Sequence, residues 1–185
     1  MKNIKPFEQF INEKIAHVNL DDFADRVADA YEAAPDYDKD ALKHWDALNK
    51  SNHKLFKQIQ SKYKVEFVDE DPYRTAEEMR RETEDTGVLK IYKGDSEHPY
   101  FSKEDNWIFR AVHDYYTHII TKTEDFDLRG ELRAYNTHSK LVPPDALPAL
   151  FTEVVGQVCY YIKKDKFPKQ KVSVLPGFDF KTIGI

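Results

Sequence analysis

The strongest chemical signal in this sequence is a group of polar side chains on an otherwise apolar helix in the second half of the chain. At about 100° per residue, the group falls in one wedge of roughly 140°, formed by Arg110, His113, Asp114, Thr117 and His118. Nearly all remaining positions between Trp107 and Ile120 are apolar, and a helix this apolar is largely buried. Its polar wedge therefore faces solvent through a narrow slot or lines an internal polar site.

Two further predicted helices carry polar groups of the same kind. Glu131 and His138 are seven residues apart, so they project within roughly 20° of each other on one helix. Glu153 and Gln157 stand one turn apart on the next helix, where Gly156 permits close helix approach. Because short connections place successive helices side by side, the three polar faces are expected to converge.

Imidazole and carboxylate groups in one place predict a divalent metal site. Mixed nitrogen and oxygen ligands suit Zn, Fe or Mn better than Ca or Mg. A simpler interpretation stands beside this one. Polar helix faces usually meet water, Arg110 and Asp114 have the spacing of an ordinary ion pair, and buried histidines often only bind a neighbour.

The elements that must hold this site are mostly helical. Apolar stripes predict a helical hairpin, with a first helix through Leu20–Tyr31 and a second through Leu42–Ile59. The alternating segments Lys64–Val68 and Val88–Tyr92 predict strands, and the helix between them favours parallel pairing. Three more helices are predicted, at about 102–121, 127–141 and 145–164. The fold class is therefore mainly α (α+β), a compact helical domain with a small two-stranded β element.

Length and composition limit the classes of protein and of partner that this chain fits. The 185 residues fit one domain, residues 14–185, with the candidate site within 102–164. A net charge of −5 makes nucleic-acid binding unlikely, since the phosphate backbone needs a basic surface. No apolar stretch reaches the length of a membrane span, so no membrane partner is expected. Cys159 is the single cysteine, lies in an apolar run, and is predicted to be a buried thiol.

The second half of the chain resembles an uncharacterised family of tailed-phage and prophage proteins. The resemblance covers roughly Asp71 to Pro176. The matching residues are Phe109-Arg110-Ala111-Val112-His113-Asp114, His118, Gly130-Glu131, Ala134, His138, Thr152-Glu153, Gly156-Gln157 and Leu175-Pro176. Where the family pattern has a Gly before the second His, this chain has Thr117, which bears on the local packing but not on the ligand set. The resemblance therefore implies site residues but no particular reaction.

Residues 1–13 are similar to the capsid-targeting peptides of internal head proteins of T-even-like phages. Those leaders are short and amphipathic, and are cut after a Glu preceded two residues earlier by Ile or Leu, which Ile11-Asn12-Glu13 matches. The resemblance implies a phage head scaffold as partner. A plain amphipathic first helix is the alternative, since Ile4, Phe7, Phe10 and Ile11 also have helical spacing.

Together these observations predict a phage-encoded helical metalloprotein that acts as a metal-dependent hydrolase on a small or nucleotide-like substrate. The predicted metal ligands are His113, His118, Glu131 and His138. Glu153 and Asp114 are the predicted catalytic carboxylates, and Arg110 and Gln157 the predicted substrate-binding residues. The alternative is a non-enzymatic virion or host-interaction protein whose polar cluster is structural. The expected location is the host cytoplasm during infection, or the virion interior.

Overall fold

The computed structural model describes residues 19–121 and 126–185. In this part of the chain, the α-helices are α1 (Leu20–Ala33), α2 (Leu42–Gln60), α3 (Ala76–Thr86), α4 (Lys103–His113), α5 (Leu128–His138), α6 (Leu147–Phe151) and α7 (Gln157–Lys164). Strands β1 (Lys64–Val68) and β2 (Val88–Tyr92) form a two-stranded sheet. The mainly α fold with a small β element is therefore confirmed. The predicted leader, residues 1–13, lies outside the described residues.

Both helices of the predicted hairpin form, but they do not pack closely on each other, because α1 packs mainly against α7 and α2 against α4. Asn19 caps α1, because its side-chain oxygen accepts hydrogen bonds from the backbone N–H groups of Asp21 and Asp22. The buried face of α1 includes Phe23, Val27 and Tyr31. That of α2 includes Trp45, Leu48, Asn52, Leu55, Phe56 and Ile59. Trp45 is fully buried, so α2 reaches into the centre of the molecule.

The predicted parallel β-α-β unit is also present. Lys64 pairs with Val88 and Val68 with Tyr92, in one continuous parallel register. Helix α3 begins after Thr75, whose hydroxyl accepts a hydrogen bond from the N–H of Glu78. It ends at Gly87, which has a φ of 71°. That left-handed conformation is one that glycine adopts without strain, so the chain can turn directly into β2.

The three helices of the second half begin near the predicted positions, but two of them are interrupted. Helix α4 continues into a π-helical segment, Asp114–Ile119, and α6 into another, Thr152–Gly156, which leads into α7. Helix α5 packs against both π-helical segments and thus lies between them. Gly156 permits close packing on α1, because a Cβ there would lie 2.7 Å from Cδ2 of Tyr31.

Two clusters of buried apolar side chains form the core. One surrounds Trp45, Tyr135 and Phe151, and the other lies between the sheet and the helices α2 and α4. Helix α4 contributes to both, with Phe109 in the first and Val112 in the second. Two sides of α4 therefore pack in the core. Of its polar side chains, His113 faces α5 and Arg110 faces the turn after β2. Across the described ranges, no helix is both long and apolar enough to cross a bilayer.

Candidate metal centre

The π-helical segment after α4 decides where His118 points. On an α-helix, residues five apart project about 140° from each other, so His113 and His118 would diverge. In a π-helix the hydrogen bond runs from residue i to i+5, which stacks residues five apart on one face. The N–H of Ile120 donates to the carbonyl of Tyr115 at 3.0 Å in this manner. As a result, the two imidazole rings lie with centroids 5.2 Å apart.

Glu131 meets both imidazoles from the neighbouring helix. Asp127 caps α5 by accepting a hydrogen bond from the N–H of Gly130 at 2.7 Å, which places Glu131 in the first turn. Its Oε2 lies 3.3 Å from Nε2 of His113, and its Oε1 lies 3.4 Å from Nε2 of His118. One candidate ligand atom from each of the three residues lies within 4.8 Å of the other two.

These separations fit a shared metal ion better than a tight ion pair. Charge-assisted N–H···O bonds are usually roughly 2.7–2.9 Å long, shorter than either contact of Glu131. Around a tetrahedral zinc ion, ligands at about 2.0–2.2 Å lie about 3.3–3.6 Å from one another. Both contacts of Glu131 therefore have the spacing expected of two ligands on one ion.

His138 lies beside this group with unusual surroundings. It is fully buried, its ring centroid is 5.7 Å from that of His113, and its ring is stacked on Phe109. Neither ring nitrogen of His138 has a hydrogen-bond partner among the described residues. Burial, together with the charge of His113, holds the pKa of His138 well below its ordinary value. The imidazole is thus neutral near pH 7, which is the protonation state that binds a metal.

The charges of His113 and Glu131 are coupled. Burial disfavours the charged form of His113, but the hydrogen bond and negative charge of Glu131 outweigh it, so the pKa of His113 is raised. Burial also acts against ionised Glu131, yet the hydrogen bond and charge of His113, followed by the charge of His118, hold the pKa of Glu131 below its ordinary value. A positive charge at this position is therefore electrostatically favourable.

Asp114 follows His113 in the chain, but its carboxyl group is in a different environment. Among the described residues its carboxylate forms no hydrogen bond and no ion pair. Burial raises its pKa to about 6, with the charge of Glu131 acting in the same direction and those of His113 and Arg110 opposing it. A carboxyl group with such a pKa can accept or release a proton near neutral pH.

Glu153 belongs to a second polar cluster, on the π-helical segment after α6. Its Oε1 accepts hydrogen bonds from Nε1 of Trp45 and Nε2 of His98, both at 2.8 Å, and its Oε2 accepts one from Nε2 of Gln157 at 2.7 Å. Nδ1 of His98 accepts from the backbone N–H groups of Tyr100 and Phe101, each at 2.9 Å. That nitrogen carries no proton, so His98 donates to Glu153 as a neutral imidazole.

The sequence did not single out Trp45 and His98 as partners of this carboxylate. They lie 108 and 55 residues from Glu153 along the chain. Trp45 belongs to an apolar stripe, which predicted only core packing, and His98 lies in a loop before Pro99. The one available signal was that a buried indole N–H needs an acceptor.

Arg110 is placed differently from its predicted substrate-binding role. Its guanidinium donates to the backbone carbonyls of Tyr92, Gly94 and Asp95, at 3.0, 2.6 and 2.9 Å. Among the described residues it forms no ion pair with Asp114 either. Its charge therefore secures the turn after β2 to α4, although the side chain also borders the cavity described next.

One open cavity of about 250 Å³ connects the two clusters. Of the predicted site residues, it is lined by Arg110, His113, Asp114, Glu131, Glu153 and Gln157. His118 and His138 lie behind His113, within the protein. The cavity wall is otherwise apolar, formed by Phe109, Phe126, Val154, Val158, Tyr161 and Phe167. All eight predicted site residues thus meet in one region, as a three-residue cluster with His138 beside it and a separate Glu153 cluster.

Known proteins were compared with this chain as families, sequences and structures. No family model, curated protein or solved structure matches it.

Proposed function

We propose that this protein binds one divalent transition-metal ion through His113, His118, Glu131 and His138 and uses it to hydrolyse a small molecule. The observation that carries the proposal is His138, a buried neutral imidazole without hydrogen-bond partners among the described residues, beside Glu131 and the two histidines that it contacts at 3.3 and 3.4 Å. A buried polar atom without a hydrogen-bond partner lowers the stability of the fold by about 1–3 kcal/mol, so such an atom calls for an explanation. A bound ion would give His138 its partner.

The donor set favours zinc, iron or manganese. Imidazole and carboxylate are ligands that these ions share, whereas calcium and magnesium prefer oxygen alone. When bound, such an ion lowers the pKa of coordinated water and polarises a substrate oxygen. His113 and Glu131 line the cavity, so substrate and water can reach the ligand cluster from there.

The two remaining carboxylates have different environments and therefore different proposed roles. Asp114 borders the cavity next to His113, accepts no hydrogen bond among the described residues, and has a pKa of about 6, which suits a general base. Glu153 accepts three hydrogen bonds from Trp45, His98 and Gln157, which fix its position. We assign proton transfer to Asp114 and substrate binding to Glu153 and Gln157.

The biological setting that we propose is tailed-phage infection. It is supported by the resemblances in the sequence, through the motif around His113 and through residues 1–13. The protein would act in the host cytoplasm, and residues 1–13 would direct it to the phage head. The competing function is that of a virion or host-interaction protein, in which Glu131 simply bridges two histidines and no ion is needed.

Elemental analysis of the purified, untagged full chain tests the metal site. We expect about one equivalent of zinc, iron or manganese per chain, and loss of that metal in Glu131→Gln and His118→Ala. The matched control is His53→Ala, which removes a half-exposed histidine that pairs with Asp105 and does not line the cavity. If the folded chain binds none of the three ions, the metal site is contradicted and the cluster has a structural role.

Hydrolysis is tested separately on the metal-loaded chain. A panel of small amides, esters and phosphate esters is assayed before and after chelation, with Asp114→Asn as the variant that keeps the ligands. We expect turnover that chelation abolishes, that metal restores and that Asp114→Asn reduces at least about a hundredfold, as loss of a general base usually does. Metal binding without turnover of any substrate would contradict the enzymatic part of the proposal.

A further inference from the structure

The Glu153 cluster has a charge that no side chain in it balances. Glu153 is buried together with Trp45 and His98, with side-chain exposures of 3% for Glu153 and 0% for His98. All three of its donors are neutral, because His98 carries its single proton on Nε2. A buried carboxylate is costly unless it is paired or fully hydrogen-bonded. A carboxylate offers about four acceptor positions, and Trp45, His98 and Gln157 occupy three of them.

Gln157 adds a second free acceptor at the same place. Only its NH₂ group can donate to Oε2 of Glu153, so its carbonyl oxygen is on the other side of the amide. That oxygen accepts no hydrogen bond among the described residues, and Gln157 lines the cavity. This end of the cavity therefore presents hydrogen-bond acceptors and needs a donor.

Among the described residues, no lysine lines the cavity to bind an anionic ligand. Its lining includes the three carboxylates of Asp114, Glu131 and Glu153. The single arginine of the lining, Arg110, already donates to three backbone carbonyls. Phosphate recognition normally uses Arg or Lys side chains or a helix N-terminus. The positive charge of a bound divalent ion would only about offset the negative charge of these carboxylates.

Another part of the cavity lining is aromatic and apolar. Tyr161 and Phe167 stack with centroids 4.7 Å apart and planes at 28°, and Phe167 is 78% exposed. An aromatic ring that remains so exposed has apolar surface available for a ligand. Val154 and Val158 connect this pair to Glu153 and Gln157 along the same wall.

We propose that the cavity binds a small molecule with a cationic nitrogen group, such as an amine, amidine or guanidine, on a flat apolar body. The nitrogen donates to Glu153 and Gln157, and the body lies against Tyr161 and Phe167. Aromatic rings favour both stacked rings and nearby cations, so this wall suits the whole ligand. This inference rests on the proposed function, whose substrate it describes, and it disfavours phosphorylated nucleotides among the expected substrates.

Calorimetric titration of the full chain with simple probes tests this inference. Benzamidine and benzylamine carry the cationic nitrogen, benzoate carries the opposite charge on the same ring, and adenosine monophosphate represents a phosphorylated aromatic ligand. We expect the two cationic probes to bind at least about tenfold more tightly than the two anions, with and without added zinc. Equal or tighter binding of either anion, or no binding of the cationic probes, would overturn the proposal.

Variants separate this inference from the metal site. Glu153→Gln should lower benzamidine affinity about tenfold or more and leave metal content unchanged, since a charge-assisted hydrogen bond is lost. His118→Ala should have the reverse effect. If Glu153→Gln does not fold, Phe167→Ala carries the test, because this exposed ring can be removed without loss of stability. It should weaken binding severalfold, whereas Tyr37→Ala, which removes an exposed aromatic outside the cavity, should not.

The two proposals fail in different ways. A chain that binds benzamidine at Glu153 but takes up no metal contradicts the metalloenzyme alone. A chain that binds metal, and whose folded Glu153→Gln and Phe167→Ala variants bind benzamidine as well as the wild type, contradicts the ligand class alone.

Discussion

His113 and His118 reach the two oxygens of one carboxylate, that of Glu131, because the helix between them is a π-helix. The α-helical spacing would turn the second ring about 140° away from the first. Segments of π-helix are rare and occur frequently at functional sites. A second such segment holds Glu153. Both departures from regular helix geometry thus lie where the polar side chains of the cavity are held.

His138 should be replaceable by an apolar residue of similar size at no cost to the metal-free fold. We expect His138→Leu to raise the unfolding free energy of the metal-free chain by about 1 kcal/mol or more, because a buried imidazole without partners is removed. Zinc should raise the melting temperature of the wild type but not that of the variant. Denaturant titration and thermal melts with and without zinc measure both effects. A variant that zinc stabilises as much as the wild type would remove His138 from the ligand set.

Trp45 should contribute more to stability than the other tryptophan, through its hydrogen bond to a carboxylate. Its Nε1–H donates to Glu153, whereas Nε1–H of Trp107 donates to the neutral acceptors Lys93 O and Ser96 Oγ. We expect Trp45→Phe to cost about 2–4 kcal/mol of unfolding free energy and the matched control Trp107→Phe about half of that, since bonds to charged groups are stronger. Chemical denaturation of both variants provides the comparison. Equal costs would mean that the bond to Glu153 has no special weight.

Cys159 should make the protein less stable at alkaline pH. Burial raises the pKa of its thiol to about 12 from an ordinary value of 9.0. The folded-state pKa is the higher one, so the thiol's contribution to stability is fully present below pH 9. It decreases as pH rises towards 12, because the unfolded chain ionises first, with a slope of up to about 1.4 kcal/mol per pH unit.

The control for this effect is Cys159→Ala, which has no thiol to ionise. The unfolding free energies of the two chains should be measured between pH 8 and 10.5. They should diverge above pH 9, and differ by on the order of 1–2 kcal/mol at pH 10.5. Parallel pH profiles would show that the thiol is not protected in the folded state.

Residues 1–13 are predicted to be separable from the fold, as a targeting leader would be. Deleting them should leave the melting temperature nearly unchanged, and mass spectrometry of virions should find a chain that begins at Lys14. If Phe7 and Phe10 instead pack on the domain, the deletion should cost several kcal/mol, the usual loss for two buried aromatic residues. A large loss of stability, with no shortened chain in virions, would favour the plain amphipathic helix.

Local sequence patterns were enough to predict the elements of this fold. The apolar stripe through Trp45 and Ile59 and the alternation of Lys64–Val68 depend on nearest neighbours along the chain, which the sequence shows directly. The same holds for the pairing of Glu131 with His138 on one helix, since seven residues are close to two turns. The predicted grouping of His113, His118 and Glu131 also agrees with the structure, but it depends in addition on the π-helical segment after α4.

Tertiary structure alone decided how these groups are used. The sequence predicts the polar wedge from α-helical geometry, and only packing against α5 and its neighbours determines that the helix widens after His113. The role of Arg110 depends on carbonyl groups of a turn 15–18 residues away, and that of Glu153 on Trp45 and His98. Hydrogen bonds between distant segments leave no periodic pattern in a sequence, because they form only when the folded core brings both partners out of water together.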